Sequence, residues 1–374
     1  MGPTLVEIEV DGDVLRARLS DGRRLALHAL QLRDSCPCGE CRHAGTGQRL
    51  LETRTIPLDL ALEEAELRDG GSGVEIRWSD GHRGTFEPTL LEKLTGEGEE
   101  PRLWGAELSA ALPAATYDAI RQDETRFADW LAAVSELGFA LLRGVPAESG
   151  KVCEVAGLFG YVRETNYGRF FDVRTVPDPV NLADTNLGLG VHTDNPYRDP
   201  VPTLQLLHCL VASGEGGETV LVDGFHAVEL LRKRSPAAFE LLSTVPVRYE
   251  YESPVAVLES AEPAIVLGVD GRPRAVRINN RSKRLPLAPV AAVRDWYSAY
   301  DEFAALLEAD ENVVRLRLGP GDLICFDNER VLHGRTAFHG GERLLQGCYA
   351  DRDGLRSTLA LLRRRTRDAQ WATV

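Results

Sequence analysis

The chain has 374 residues, long for one compact core, so one large domain with a smaller companion is the natural organisation. A formal net charge of −14 excludes a general nucleic-acid binder, which needs a basic face, but leaves room for a small anion held by local arginines. Hydrophobic and charged fractions of 43% and 27% are those of an ordinary globular protein, and no apolar run approaches the roughly 20 residues that span a bilayer.

Residues 5–10, 14–19 and 24–27 alternate apolar and polar and are separated by Asp-Gly turns, the pattern of short antiparallel strands. No basic, apolar leader precedes them, and Pro3 after Gly2 argues against a lipid anchor, so a cytoplasmic location is expected. A Cys-, Gly- and Asp-rich loop spans 33–47, another strand is expected at 74–78, and residues 88–94 make one or two helical turns. The run 96–101, rich in Gly and Glu, reads as a linker. We therefore divide the chain into a small N-terminal domain, 1–100, and a larger domain, 101–374.

Beyond the linker, Phe127, Trp130, Leu131, Val134 and Leu137 recur at helical spacing over 123–137. Residues 138–145 have the pattern of a buried strand, and 151–159 of a short helix. Core strands follow at 203–210 and 218–223, helices at 225–233 and 236–242, and further strands at 264–269, 275–278, 313–318, 323–326 and 343–349. A polar helical tail ends the chain. Short strands between turns, with flanking helices, give a mostly β (α+β) fold in which the larger domain is a jelly-roll barrel.

Two residue sets carry chemistry. The seven cysteines are odd in number and clustered, which suits thiols or metal ligands better than a disulfide framework. Cys36, Cys38 and Cys41 crowd one loop, and His82 follows in a turn, a Cys3His set that suits structural zinc. His43 competes for the fourth place; His82 is preferred because His43 lies only two residues after Cys41. A closed four-ligand site staples a small domain and has no open position for chemistry. The second set begins with His192-Thr193-Asp194, two side chains that can face one way from a strand. His333 completes two imidazoles and one carboxylate, a facial triad for Fe(II) with positions left open. Ten residues later Arg343 heads an apolar strand, where a buried guanidinium needs an anion such as the far carboxylate of 2-oxoglutarate.

The stretches Cys36-Pro37-Cys38-Gly39-Glu40-Cys41, Phe159–Gly168, Asn181-Leu182-Ala183, His192–Arg198, Leu206–Cys209, Asn279-Asn280-Arg281, His333-Gly334-Arg335 and Arg343–Asp351 together resemble the γ-butyrobetaine dioxygenase family. That family also includes trimethyllysine and 2-trimethylaminoethylphosphonate hydroxylases. The resemblance covers nearly the whole chain. It implies a zinc-binding N-terminal domain and a double-stranded β-helix dioxygenase domain, using Fe(II), 2-oxoglutarate and O2, with ascorbate supporting activity and a homodimer as the assembly. It also implies iron ligands His192, Asp194 and His333, zinc ligands Cys36, Cys38, Cys41 and His82, and a 2-oxoglutarate clamp at Arg343 with Leu207 in the wall. Tyr167, Phe171 and Tyr349 fall at aromatic-cage positions for a trimethylammonium group. Asn181, Asn279, Asn280 and Arg281 fall where the substrate's anionic end is held. Asp184 departs from the pattern: γ-butyrobetaine hydroxylases carry Tyr there. That carboxylate, with Arg281, Lys283 and Arg284 near the anion end, tilts the expectation toward 2-trimethylaminoethylphosphonate, with γ-butyrobetaine as the alternative. A metal-stabilised binding protein without turnover is the remote alternative.

Overall fold

Period-two alternation in the first hundred residues is realised as two small antiparallel sheets. The computed structural model describes residues 3–95, 101–175 and 185–371, and the chain divides into two units, Met1–Glu100 and Pro101–Val374. In the first unit Leu5–Asp11, Val14–Leu19 and Arg24–His28 form one sheet, and Leu62–Leu67, Val74–Trp78 and Arg83–Phe86 the other. Val74, Ile76 and Trp78 point into the core while the residues between them stay partly exposed, as the pleat requires. The Trp78 indole donates to the Ala29 carbonyl at 3.1 Å, so its buried N–H is satisfied. Cys36 and Cys41 are buried in this same core beside Trp78 and Phe86. The strand Leu62–Leu67 has little apolar alternation and was not expected.

The second unit is built on two facing sheets. The larger runs Phe171–Arg174, Arg343–Ala350, Leu204–Ala212, Leu323–Asp327, Phe139–Arg143, Ala114–Thr116, with Val162–Arg163 also on Arg343–Ala350. Only the Ala114–Thr116 pairing is parallel among the described strands. The smaller sheet runs Leu189–His192, Val331–Arg335, Thr219–Asp223, Val313–Leu316. Strand periodicity sends Phe139, Leu141, Leu207, Cys209, Ile324, Phe326 and Leu345 inward to meet Leu221, Val314 and Val331 of the smaller sheet. The alternate residues Ala140, Leu142, Leu206, Cys325 and Cys348 face outward, under Trp130, Leu131 and Val134 of helix Glu124–Leu137 and Leu355 and Leu359 of the terminal helix Arg352–Trp371. This is the expected jelly-roll with flanking helices.

The caps explain where the first of those helices begins and ends. Asp123 accepts from Thr125 and Arg126 N–H at 2.8 and 3.3 Å, and Gly138 closes the helix at φ +83, a conformation that favours glycine. Helix Val293–Glu308 and the hairpin Pro246–Ser253 with Ala256–Pro263 were not anticipated. They pack with Gly224–Arg234 and Pro236–Thr244 into a further core around Trp296, Phe303 and Tyr249. A buried ion pair ties this unit's interior: Arg330 donates to both carboxylate oxygens of Asp223 at 3.0 and 2.8 Å, and Asp223 also accepts from Phe225 and Trp104 N–H. No helix among the described residues is long and apolar enough to cross a membrane.

Candidate metal centres and substrate pocket

In the N-terminal unit, turn Asp80–Gly81 presents His82 to the cysteine loop. His82 Nε2 lies 3.3 Å from Cys36 Sγ and 3.5 Å from the sulfurs of Cys38 and Cys41. A zinc tetrahedron with Zn–S about 2.3 Å and Zn–N about 2.0–2.1 Å has S···N edges of about 3.5 Å, so the donor set fits that ion. Arg33 donates to Cys41 Sγ at 3.2 Å and to Asp80 at 2.9 Å, and His82 Nδ1 lies 3.5 Å from Glu40. Such outer contacts fix which imidazole nitrogen faces the sulfurs. His43 is elsewhere engaged, accepting at Nδ1 from the Thr46 N–H at 3.2 Å.

In the second unit His192 and His333 are cross-strand partners in the smaller sheet, with ring centroids 4.3 Å apart. The strand ends at His192; Asp194 lies just beyond it, so the pair is brought together by a strand end and the loop after it, not by one continuous strand. Asn328 holds that loop: its Oδ1 accepts from Asp194 N–H at 2.8 Å and its Nδ2 donates to the Asp194 carbonyl at 3.0 Å. The next residue, Asn195, sits at φ 53, a strained value for a residue with a side chain. Asp194 Oδ1 is 3.2 Å from His192 Nε2, and Oδ2 is 4.0 Å from His333 Nε2. His192 Nδ1 faces the Gly190 carbonyl at 2.9 Å, which leaves Nε2 as the free donor atom. Burial, reinforced by His192, pushes His333 down to about 3, so it is a neutral imidazole at ordinary pH. Burial works against an ionised Asp194, but His192, His333 and Tyr349 outweigh it and hold the carboxyl below its usual range. Two imidazoles and a carboxylate within 4.8 Å of one another fit a divalent transition metal.

Around this triad runs a chain of five aromatic rings. Phe171 meets Tyr349 at 5.2 Å and Tyr167 at 6.1 Å; Tyr251 meets Tyr167 at 5.8 Å and Tyr197 at 5.0 Å. The Tyr167 hydroxyl lies 2.8 Å from that of Tyr197, which donates to Asn195 Oδ1 at 2.6 Å. Burial raises both phenols, Tyr197 to about 12, so neither carries charge. Tyr197 and Tyr251 were missed as site residues. Tyr197 sits within the His192 stretch, whereas Tyr251 arrives on the unanticipated hairpin. Tyr349 was expected as a cage ring only, yet its hydroxyl also donates to Asp194 Oδ2 at 3.0 Å.

A cleft opening beside His192 is lined by Ile278, Asn280, Arg281, Tyr300 and Leu307. Arg281 is accessible there, but the crowding of the cleft lowers its pKa, and its guanidinium has no hydrogen-bond or ion-pair partner among the described residues. Asn279, expected to contact substrate, also ties the loop together: Nδ2 donates to the Thr193 carbonyl at 2.9 Å and Oδ1 accepts from Arg281 N–H at 3.1 Å. Asn280 Oδ1 accepts from the Tyr300 hydroxyl at 3.1 Å. Arg343 is half-buried in a recess with Gly217, Phe338 and Ser213, has no carboxylate partner among the described residues, and is destabilised as a cation by burial. Leu207 faces the interior between the sheets. Asn181 and Asp184 lie outside the described residues.

A double-sheet jelly-roll that gathers His-x-Asp and a distant His, with an unpaired arginine on its last strand, defines an oxygenase of the non-haem iron, 2-oxoglutarate type. Residues 92–349 match the model of the taurine catabolism dioxygenase TauD, TfdA family, and residues 6–91 that of the γ-butyrobetaine hydroxylase-like N-terminal domain. The chain is 36% identical to the γ-butyrobetaine dioxygenase of Pseudomonas sp. (strain AK-1), covering 92% of each sequence. It is 31% identical to the human γ-butyrobetaine dioxygenase, over 90% of this chain and 91% of that one. It is likewise 31% identical to a trimethyllysine dioxygenase of Meyerozyma guilliermondii, over 97% and 96%. A taurine dioxygenase structure from Burkholderia xenovorans shares the fold at TM-score 0.51, with 16% identity, over 67% of this chain and 89% of that one. The chain belongs to the γ-butyrobetaine dioxygenase family of Fe(II)/2-oxoglutarate-dependent dioxygenases.

Proposed function

We propose that this dioxygenase hydroxylates a methylene carbon of a small trimethylammonium zwitterion, with γ-butyrobetaine as the preferred substrate. One observation carries the reading: the aromatic chain ends on Tyr349, whose hydroxyl touches the carboxylate of the candidate iron site. A quaternary ammonium has no hydrogen to donate, so ring faces are its natural partners, and neutral phenols provide them without burying a second charge. Arg281 and Asn280 then offer a cation and an amide to the anionic end, in the cleft that His192 lines.

His192, Asp194 and His333 would hold Fe(II), Arg343 the far carboxylate of 2-oxoglutarate, and Cys36, Cys38, Cys41 and His82 a structural Zn(II). Bound iron and cosubstrate would supply the oxidation, coupling O2 reduction and loss of CO2 from 2-oxoglutarate to insertion of oxygen into a C–H bond. What this chain's own residues contribute is orientation: held at both ends, the substrate turns one carbon toward the metal.

The relatives from Pseudomonas and man, named γ-butyrobetaine dioxygenases, support the carboxylate substrate, which reverses the order of preference read from Asp184. The phosphonate keeps one argument, a carboxylate at 184 in place of a cage tyrosine. Incubation with Fe(II), 2-oxoglutarate and ascorbate, with γ-butyrobetaine, trimethyllysine and 2-trimethylaminoethylphosphonate in parallel, tests both. We expect substrate-dependent succinate and a hydroxylated product, greatest with γ-butyrobetaine. No succinate above background with any of the three would overturn the reading, and a phosphonate preference would restore the other order.

A further inference from the structure

Gln205 is an unusual residue for its place. It lies in strand Leu204–Ala212, otherwise apolar from Leu204 to Leu207, and is 1% exposed. Its Nε2 donates to Asp194 Oδ2 at 2.9 Å, and its Oε1 has no partner among the described residues. A buried amide left half unsatisfied costs stability, so packing alone does not account for a glutamine here. The amide cannot be turned round to improve matters, because Oε1 would then face the Asp194 carboxylate.

Gln205 is paired in register with Tyr349 on the neighbouring strand, and both side chains face inward. They therefore reach Asp194 from adjacent positions, and the Tyr349 hydroxyl donates to the same Oδ2 at 3.0 Å. Oδ2 has two donors and lies 4.0 Å from His333 Nε2, whereas Oδ1 faces His192 Nε2 at 3.2 Å. The Asp194 backbone is independently fixed by Asn328, so only the carboxylate torsion remains to be set.

We propose that Gln205 is a positioning residue for the iron centre: with Tyr349 it engages Asp194 Oδ2 and leaves Oδ1 alone to face the metal. The consequence is coordination number. His192, Asp194 and His333 would hold the metal through three atoms and leave its other positions open for cosubstrate and O2. A carboxylate free to rotate could bind through both oxygens and close one of them. The inference rests on Asp194 being an iron ligand.

The test is Gln205→Met, close in size and lacking the donor, compared with wild type and Asp194→Ala. Fe(II) affinity and the visible charge-transfer absorption of the anaerobic complex with 2-oxoglutarate are read, with succinate and hydroxylated product counted under O2. Loss of an outer hydrogen bond to a metal ligand typically weakens metal binding about 10- to 100-fold. We expect a loss of that size, an altered absorption band, and succinate in excess of product, with the metal-free melting temperature near that of wild type. Unchanged affinity and band would overturn the proposal and leave Gln205 a packing residue. If Gln205→Met fails to fold, Tyr349→Phe, which deletes one hydroxyl from the same oxygen, decides: it must alter the band in the anaerobic complex, and an unaltered band sinks the idea. If instead wild type binds no iron, or Asp194→Ala binds it equally well, the assignment beneath the inference is what fails.

Discussion

The two donor clusters of this chain solve opposite problems. In the N-terminal unit three sulfurs surround one imidazole nitrogen at 3.3–3.5 Å, and Arg33 braces both Cys41 and the turn that carries His82. Four donors complete a tetrahedron, so a metal there can only hold the fold together. In the C-terminal unit there are three donors, on one side, and the hydrogen bonds around them fix their orientation: Gly190 for His192, Asn328, Gln205 and Tyr349 for Asp194. Two cations in this unit, Arg281 in the cleft that His192 lines and Arg343 in a separate recess on the last strand, have no anionic partner among the described residues. Arg330, by contrast, is neutralised by Asp223, although buried Arg277 is held by the Pro196 carbonyl and the Ser260 hydroxyl. A complete donor set suits a structural ion, and an incomplete one leaves positions open for ligands.

The largest effect should come from breaking the open set. His192→Ala is expected to abolish iron binding and turnover while leaving one zinc per chain, read by elemental analysis. Zinc leaving together with iron would show that the two clusters are not independent. Next comes the closed set. Structural zinc in small zinc-finger domains contributes an apparent 10–16 kcal/mol, roughly, to folding. Cys41→Ser should therefore release zinc and expose residues 3–95 to limited proteolysis, with iron still bound; zinc retained at full stoichiometry would count against the four-ligand assignment.

Arg343→Met probes the unpaired cations. Removing one member of a buried, hydrogen-bonded charge pair costs about 2–5 kcal/mol, so the KM for 2-oxoglutarate should rise at least about thirtyfold. Iron content should not change, because Arg343 is no part of the triad. An unchanged KM would mean that the recess beside Gly217 and Phe338 is not where the cosubstrate ends.

Much of this was legible in the sequence because the informative residues are close together or fall in register. The cysteine loop is local, and His82 follows from a turn at Asp80-Gly81. His333 and Arg343 share a short stretch of chain with the strands that carry them. What escaped was set by tertiary packing. Tyr251 reaches the ring chain on a strand that alternates plainly, Val247-Arg248-Tyr249-Glu250-Tyr251-Glu252, a signal that went unread, but only the folded chain stacks it on Tyr197. Helix Val293–Glu308 did carry a signal, Trp296, Ala299, Phe303 and Leu307 at helical spacing, which went unread. Gln205 also left a trace, one polar residue in an apolar strand, but its meaning depends on the register that sets it beside Tyr349. Nor could the sequence show that the Asn279 amide bonds the Thr193 carbonyl and the Arg281 N–H, contacts that depend on how the two loops meet.

The smallest predicted effect separates the cage from the metal site. Phe171 lies over Gly347, and a Cβ at that position would stand 2.6 Å from two of its ring atoms and 3.0 Å from Leu207 Cδ2. No side chain fits unless Phe171 moves, and Phe171 touches both Tyr349 and Tyr167. Overpacking of this kind costs about 1–3 kcal/mol. If that cost falls on the bound arrangement of the rings, Gly347→Ala should raise the KM for the trimethylammonium substrate about 5- to 140-fold, while iron affinity and the KM for 2-oxoglutarate hold near wild type. Were all three to shift together, the cage would not be separable from the metal site, and the hydroxyl of Tyr349 on Asp194 would be the link that couples them.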